Sequence, residues 1–270
     1  MDLKLSQPHL TWTLAKLTAG RIMRRRSRIF FLLLGLVPSL AAGYWMVLKL
    51  FPNDISRNFK PYEFFLTLQN LYFMSFYLLV LAAFLGLGVI MDEIETKNIT
   101  FTLVRPLNRV SIIAGRFLGH LLAGWAYLAI SFTCCFLANM LFQTEDLFAK
   151  IPAFFNGLFI LSFGLTAFMG IVSAMGTFLS RFALLAAVIW MIFDFSFSMA
   201  PLKLLNFLSI RYHMLASYWE GIPQFLPTLA VIRQTPASLN ALVCLGFCIL
   251  ACFVTALRLK SEIILSDGSN

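Results

Sequence analysis

Asp194 is the one acidic residue that lies well inside a long apolar run of this 270-residue sequence. A carboxyl group in such surroundings is costly, and by default it is a candidate for an ion or substrate pathway. Its alternative role is a structural hydrogen bond, and the sequence alone leaves both roles open. His120 begins another apolar run, but no second ligand at metal-binding spacing accompanies it. We therefore expect His120 to be neutral and hydrogen-bonded.

Three cysteines, Cys244, Cys248 and Cys252, fall on one helical face, and Cys134 and Cys135 are adjacent in another apolar run. Together with eleven methionines, these are the soft ligands that Cu(I) prefers. Small residues at every fourth position are, however, the usual means by which membrane helices approach closely. We therefore expect a packing face, and we predict neither a metal nor a cofactor in this chain.

Motifs for catalysis are absent from the sequence. It contains no G-x-x-x-x-G-K-[S/T] phosphate loop, no His-Glu-x-x-His zinc motif and no nucleophile elbow. We therefore predict a protein that is not an enzyme.

The composition points to a membrane protein. Hydrophobic residues make up 60% of the chain and charged residues 12%, and the mean hydropathy is +0.85. Soluble domains are about half apolar and about a quarter charged, so soluble enzymes and soluble nucleic-acid binders are excluded. The apolar runs show no alternation, which excludes a transmembrane β-barrel. The fold class is therefore an all-α polytopic membrane protein.

Six apolar stretches are long enough to cross a bilayer, which takes roughly 20 helical residues. They are residues 29–48, 69–91, 117–142, 154–179, 182–200 and 239–257. A cleaved signal peptide is disfavoured because a long segment precedes the first stretch. This predicts a cytoplasmic basic helix in residues 1–28, a six-helix domain over 29–257 and a tail at 258–270.

The positive charge indicates orientation. Of the 21 Lys and Arg residues, 14 fall in the N-terminal segment, the second-to-third connection, the tight fourth-to-fifth turn and the C-terminal tail. Cytoplasmic connections carry an excess of Lys and Arg, so both termini are predicted to be cytoplasmic. We therefore attribute the net charge of +9 to the basic residues that set the orientation of the chain in the membrane, and we expect no nucleic-acid partner.

Two connections and the N-terminal segment have patterns of their own. A basic amphipathic helix in the membrane plane is predicted from the spacing of Leu10, Leu14, Leu17 and Ile22. In the connection 92–116, a short capped helix at 99–104 ends at Arg105-Pro106, and Asn108 or Ser111 begins the next helix. The external connection 201–238, which includes Tyr218 and Trp219, has the composition of a partly re-entrant segment. We favour a lid or gate there; the alternative is a lipid-hugging loop without a gating role.

Residues 92–119, DEIETKNITFTLVRPLNRVSIIAGRFLG, resemble the permease subunits of ATP-binding-cassette (ABC) exporters of the type-two family. The shared pattern is acidic residues, then Arg-Pro, then a Gly-Arg-Phe-Leu-Gly run into the third span. Lys97-Asn98 replaces the Gly-Thr that usually follows the acids. The resemblance implies a coupling helix at 99–104 that contacts a separate ATPase. The coupling residues it implies are Glu93, Glu95, Ile99, Leu103, Arg105, Pro106, Arg109 and Arg116.

The same resemblance implies the partners. They are a cytoplasmic ABC ATPase, which would hold ATP and magnesium, and a second copy of this chain or a related permease, surrounded by membrane lipid. We expect an exporter of a hydrophobic or amphipathic substrate (a lipid-like molecule, peptide or drug) in a bacterial plasma membrane. Asp194, Tyr218 and Trp219 are the candidates for its pathway or gate. The alternative is a membrane scaffold or assembly factor that moves no substrate; a secondary transporter is disfavoured because no inverted repeat is visible.

Overall fold

The computed structural model describes residues 7–49, 60–89, 109–140, 144–179, 182–198, 203–218 and 237–267. The regular elements in these ranges are all helices. In chain order they are α1 (Gln7–Arg24), α2 (Ser27–Lys49), α3 (Pro61–Gly88), α4 (Arg109–Met140), α5 (Thr144–Leu179), α6 (Ala183–Ser198), α7 (Lys203–Phe207), α8 (Ile210–Tyr218) and α9 (Ala237–Asp267).

Five of the described helices are long and apolar enough to cross a membrane. Their spanning parts are Ser27–Trp45, Pro61–Gly88, Ser111–Met140, Leu147–Leu179 and Ser238–Thr255. The predicted fifth span corresponds to α6, which has 16 residues. At 1.5 Å per residue α6 is about 24 Å long, shorter than a hydrocarbon core of about 30 Å. The prediction of a multi-pass helical protein is confirmed, and the sixth crossing stays a prediction.

The long helix α5 forms the centre of the bundle, because α3, α4, α6, α8 and α9 all pack against it. Small residues allow the close approach. A Cβ on Gly86 would lie 3.0 Å from the Met169 carbonyl oxygen, and one on Gly170 would lie 3.0 Å from Cys248 Cα. The cysteine face of α9 is therefore a packing face, as small residues in membrane helices usually are. Among the described residues, no group of three or more His, Cys, Asp or Glu side chains is arranged to hold a metal.

Helix α2 is fastened to α3 at a proline. Pro38 has no backbone N–H, so the carbonyl of Leu34 loses its helical donor. The Tyr72 hydroxyl supplies a replacement by donating to that carbonyl at 2.5 Å. One and a half turns further along α3, the Tyr77 hydroxyl donates to the Phe31 carbonyl at 3.2 Å. Both tyrosines lie in a π-helical segment of α3, Gln69–Tyr77.

Candidate coupling and gating sites

Helix α1 packs closely against the first turns of α4, at two glycines. A Cβ on Gly115 would lie 2.8 Å from the Thr11 carbonyl oxygen, and one on Gly119 would lie 2.5 Å from Thr18 Cβ and 2.7 Å from the Ala15 carbonyl oxygen. A step of one turn along α4, from Gly115 to Gly119, is thus matched by a step of one turn along α1, from Thr11 to Ala15. The two helices run side by side in the same direction over these turns, with no room for a side chain on either glycine.

The buried face of α1 differs from the predicted one. Ala15 is fully buried and Ile22 nearly so, whereas Leu17 is 67% exposed. The predicted apolar stripe therefore included one residue of the opposite face. The physical reason is that Leu14 packs on Gly115 while Ala15 and Thr18 allow the close approach at Gly119, which leaves Leu17 on the other side of the helix. The placement of α1 in the membrane plane stays a prediction.

The same end of α4 contacts the end of α3. A Cβ on Gly88 would lie 3.1 Å from His120 Nε2. The other ring nitrogen, His120 Nδ1, lies 3.0 Å from the Arg116 carbonyl oxygen of its own helix. The end of α3 therefore lies beside the third turn of α4, and α1 packs against α4 in the same region. We call this group, α1 with Gly88, Gly115, Gly119 and His120, the coupling node.

At the other candidate site, Asp194 caps a helix. Its carboxylate oxygens accept hydrogen bonds from the backbone N–H groups of Ile210 (2.8 Å) and Arg211 (3.2 Å), at the start of α8. The Ser209 hydroxyl donates to the Asp194 carbonyl oxygen at 3.0 Å. The first N–H groups of a helix have no partner within the helix, and a carboxylate satisfies them well. A buried carboxylate from α6 thus holds the start of α8.

Arg211 is buried beside this cap. Its guanidinium lies 4.0 Å from the centroid of the Phe195 ring, a cation–π contact to the residue that follows Asp194. An arginine in apolar surroundings needs such compensation, because burial of an uncompensated charge is costly. Asp194 and Arg211 therefore bring opposite charges to the same buried junction of α6 and α8.

Helix α8 is also tied to α5 and α9. His213 Nδ1 lies 2.9 Å from Asn240 Oδ1 of α9, and its Nε2 lies 3.1 Å from the Phe207 carbonyl oxygen. Met214 packs on Gly164, near the middle of α5. Residues 210–217 are all buried. Residues 210–217 of the connection between α6 and α9 therefore pack inside the bundle, and the gating role predicted for that connection stays a prediction.

Most of the chain matches a known protein family. A family model described as an ABC-2 family transporter protein matches residues 17–258. The chain belongs to that family. No curated protein matches it. The ABC-2 model runs from the middle of α1 to just beyond the spanning part of α9. The match therefore includes the Asp194 cap and the α3 and α4 residues of the coupling node, but only the part of α1 from Leu17 onward.

Membership in the ABC-2 family confirms the resemblance found in residues 92–119 and establishes the general function of the chain. This ABC-2 protein is a multi-pass membrane protein and a permease subunit of an ABC transporter. The family consists of transmembrane subunits, which are generally not catalytic, and membership implies partnership with an ABC ATPase.

The predicted coupling residues are mostly outside the described part of the chain. This applies to Glu93, Glu95, Ile99, Leu103, Arg105 and Pro106, and also to Trp219 of the predicted gate. Arg109 begins α4 and Tyr218 ends α8, but their side chains are not described. Arg116 lies on α4 between the two glycines of the coupling node, and Asp194 lies at the cap described above.

Three features were not predicted from the sequence. Gly115 and Gly119 carried a usable signal, the small-x-x-x-small spacing that marks close helix contacts in membranes. The pairing of Tyr72 with Pro38 carried none, because nothing in either segment indicates that the two helices are adjacent. Arg211 lies in the connection 201–238, and its burial beside Phe195 depends on the packing of α8 against α6, which the sequence does not indicate.

Proposed function

We propose that this ABC-2 protein is the transmembrane half of an exporter, in which a separate ATPase drives the movement of a hydrophobic or amphipathic substrate. The observation that carries the proposal is the coupling node. Helix α1 is interlocked with the first turns of α4, the helix that follows residues 90–108, and the end of α3, which precedes them, contacts α4 at His120. A push on that connection and on α1 therefore reaches α3 and α4 together.

The close contacts make the node suitable for transmitting force. At Gly119 the helix backbones approach so closely that the space left by the missing side chain is filled by Thr18. Closely packed interiors are poorly compressible and transmit strain. A displacement of α1 at the node is thus passed to α4 with little loss.

At the far end, α8 is the element we propose to move. It is held to α6 by the Asp194 carboxylate and to α9 by the His213–Asn240 contact. Both are hydrogen bonds between different helices, so relative motion of α6 or α9 displaces α8. In this proposal Asp194 positions α8, the gating helix, and does not itself bind the substrate.

The substrate class rests on the walls of the bundle. The chain has 29 phenylalanines and few charged residues, so a lipid-like molecule, a peptide or a drug fits better than a free ion or a sugar. We further propose six crossings, a dimer of two such chains with two ATPases, and both termini in the cytoplasm of a bacterial cell. ATP and magnesium bind to the partner chain in this scheme.

The test is copurification followed by reconstitution. The tagged chain, extracted from its native membranes under mild conditions, should bring an ABC ATPase with it. In vesicles, Arg109→Glu should abolish ATP-dependent transport while ATP hydrolysis and membrane insertion continue, because the reversed charge disrupts the contact between the connection and the ATPase. Recovery without any ATPase argues against the proposal, and a complex that hydrolyses ATP but moves no substrate favours the scaffold function. Unchanged transport in Arg109→Glu removes Arg109 from the mechanism.

A further inference from the structure

Just before the first span, the face of α1 that points away from α4 has a groove lined by positively charged side chains. It has a volume of about 510 Å³ and is lined by Lys16, Leu17, Gly20, Arg21, Arg24 and Arg25. The four cationic side chains are exposed. A Cβ on Gly20 would meet nothing within 4 Å, so the middle of the groove is open. We call it the basic groove.

The charge of the basic groove is not balanced within α1, which contains no Asp or Glu. Two of the cations, Arg21 and Arg24, lie in the last turn, where they complement the negative end of the helix dipole. That effect is confined to the last turn and does not explain Lys16, two turns earlier. An anion bound in the groove would relieve the repulsion among Lys16, Arg21 and Arg24.

The position of the groove relative to the membrane indicates which kind of anion it binds. Helix α1 ends at Arg24, and the first spanning segment begins at Ser27. The groove therefore lies at the boundary of the hydrocarbon core, where lipid headgroups are found. Arg guanidinium groups match phosphate oxygens in a bidentate manner.

Apolar side chains beside the cations point to the same ligand. Leu17 lines the groove and is largely exposed, and exposed Trp12 lies 5.2 Å from Lys16 Nζ, measured to the ring centroid. Tryptophan and leucine next to arginine and lysine are typical of helices that bind at the membrane interface. A free phosphate or an acidic protein surface would complement the cations but would leave this apolar surface without a partner.

We propose that the basic groove binds the phosphate headgroup of an anionic phospholipid. Arg21 and Arg24 contact the phosphate, and Leu17 and Trp12 contact the glycerol and upper acyl region. The bound lipid anchors the outer face of α1 while its inner face stays interlocked with α4. Occupancy of this lipid site requires neither ATP nor the ATPase.

The experiment measures lipid preference on the full chain in phosphatidylcholine vesicles. Trace spin-labelled phosphatidylglycerol or spin-labelled phosphatidylcholine is added, and the motionally restricted fraction of each label gives their relative affinity. We expect a preference for phosphatidylglycerol that falls about fivefold in Arg21→Gln and again in Arg24→Gln, the effect of one cation near an anionic surface. Arg24→Lys, which keeps the charge, should retain most of the preference.

The matched control is Lys60→Gln, at the opposite end of the bundle. It removes the same charge, but the Lys60 ammonium is already paired with Glu63 at 2.8 Å, so the lipid preference should not change. Equal restriction of both labels, or a preference that survives the double variant Arg21→Gln/Arg24→Gln, overturns the proposal. Loss of the preference on addition of inorganic phosphate assigns the groove to free phosphate. Loss of ATPase binding in the double variant with an unchanged lipid preference assigns it to the ATPase.

Discussion

The contact between α1 and α4 gives a prediction whose sign can be worked out from distances. In Gly119→Ala the new Cβ would lie 2.5 Å from Thr18 Cβ and 2.7 Å from the Ala15 carbonyl oxygen. Carbon atoms pack best at about 3.5–4.0 Å, so α1 must retreat by about 1 Å. Overpacking of this kind costs about 1–3 kcal/mol. The gain in helix propensity from Gly to Ala is about 1 kcal/mol, which leaves a net loss of roughly 0–2 kcal/mol.

Two other glycines are matched controls. A Cβ on Gly43 of α2 or on Gly246 of α9 would meet nothing within 4 Å. Alanine at these positions should therefore be neutral or stabilising, since only the propensity gain applies. Gly119→Ala should lower the unfolding midpoint of the purified chain and reduce the transport obtained per ATP hydrolysed, while the controls do neither.

A double variant identifies the contact responsible. Thr18→Gly removes the two side-chain atoms nearest to the new Cβ, at 2.5 and 2.9 Å, although the Ala15 carbonyl remains. In the Gly119→Ala background Thr18→Gly should restore part of the lost stability, a coupling of about 0.5–3 kcal/mol between contacting residues. Additive effects of the two substitutions, or a Gly119→Ala chain that is stabilised like the controls, would refute the interlocked contact.

Three further predictions concern other helix contacts. Asp194→Ala should deprive the first N–H groups of α8 of their acceptor at a cost of about 1–3 kcal/mol per group, seen as faster hydrogen exchange at the start of α8; unchanged exchange would contradict the cap. Tyr72→Phe should destabilise the chain by about 1 kcal/mol, and Pro38→Ala, which restores the missing N–H, should make that substitution nearly neutral in a double-mutant cycle of unfolding free energies. Gly170→Ala should lower the unfolding midpoint because its Cβ meets the α9 backbone, whereas Gly246→Ala should not; equal midpoints would show that α5 and α9 tolerate separation.

The spans could be predicted because a bilayer imposes a long apolar run on each crossing helix. The helix ends could not be predicted from hydropathy. Helix α3 begins at Pro61, well before the predicted span at residue 69, because the helix continues through Glu63 into a further apolar stretch with buried Phe65 and Leu66. Helix α4 begins at Arg109, between the two predicted caps Asn108 and Ser111. The approximate start was predictable because capping depends on residues close in sequence.

The candidate sites depend on contacts between distant segments, which one sequence does not specify. The role of Asp194 requires residues 209–211 to return to the end of α6 after a change of direction. The acceptor for Tyr72 arises from a missing N–H on another helix, 34 residues earlier in the chain. At Gly115 and Gly119 the spacing was visible, but the helix that packs against them was not identifiable from it.

The central claim is that this ABC-2 permease subunit moves substrate with energy from ATP hydrolysed by another chain. The most direct measurement is the transfer of fluorescent amphipathic lipid analogues across vesicles that contain the permease and its copurified ATPase. Transfer is expected with ATP and both chains present, and it should stop when the ATPase carries a substitution that prevents hydrolysis. Undiminished transfer with that ATPase, or none from an intact complex that hydrolyses ATP across a panel of lipid, peptide and drug probes, would contradict it.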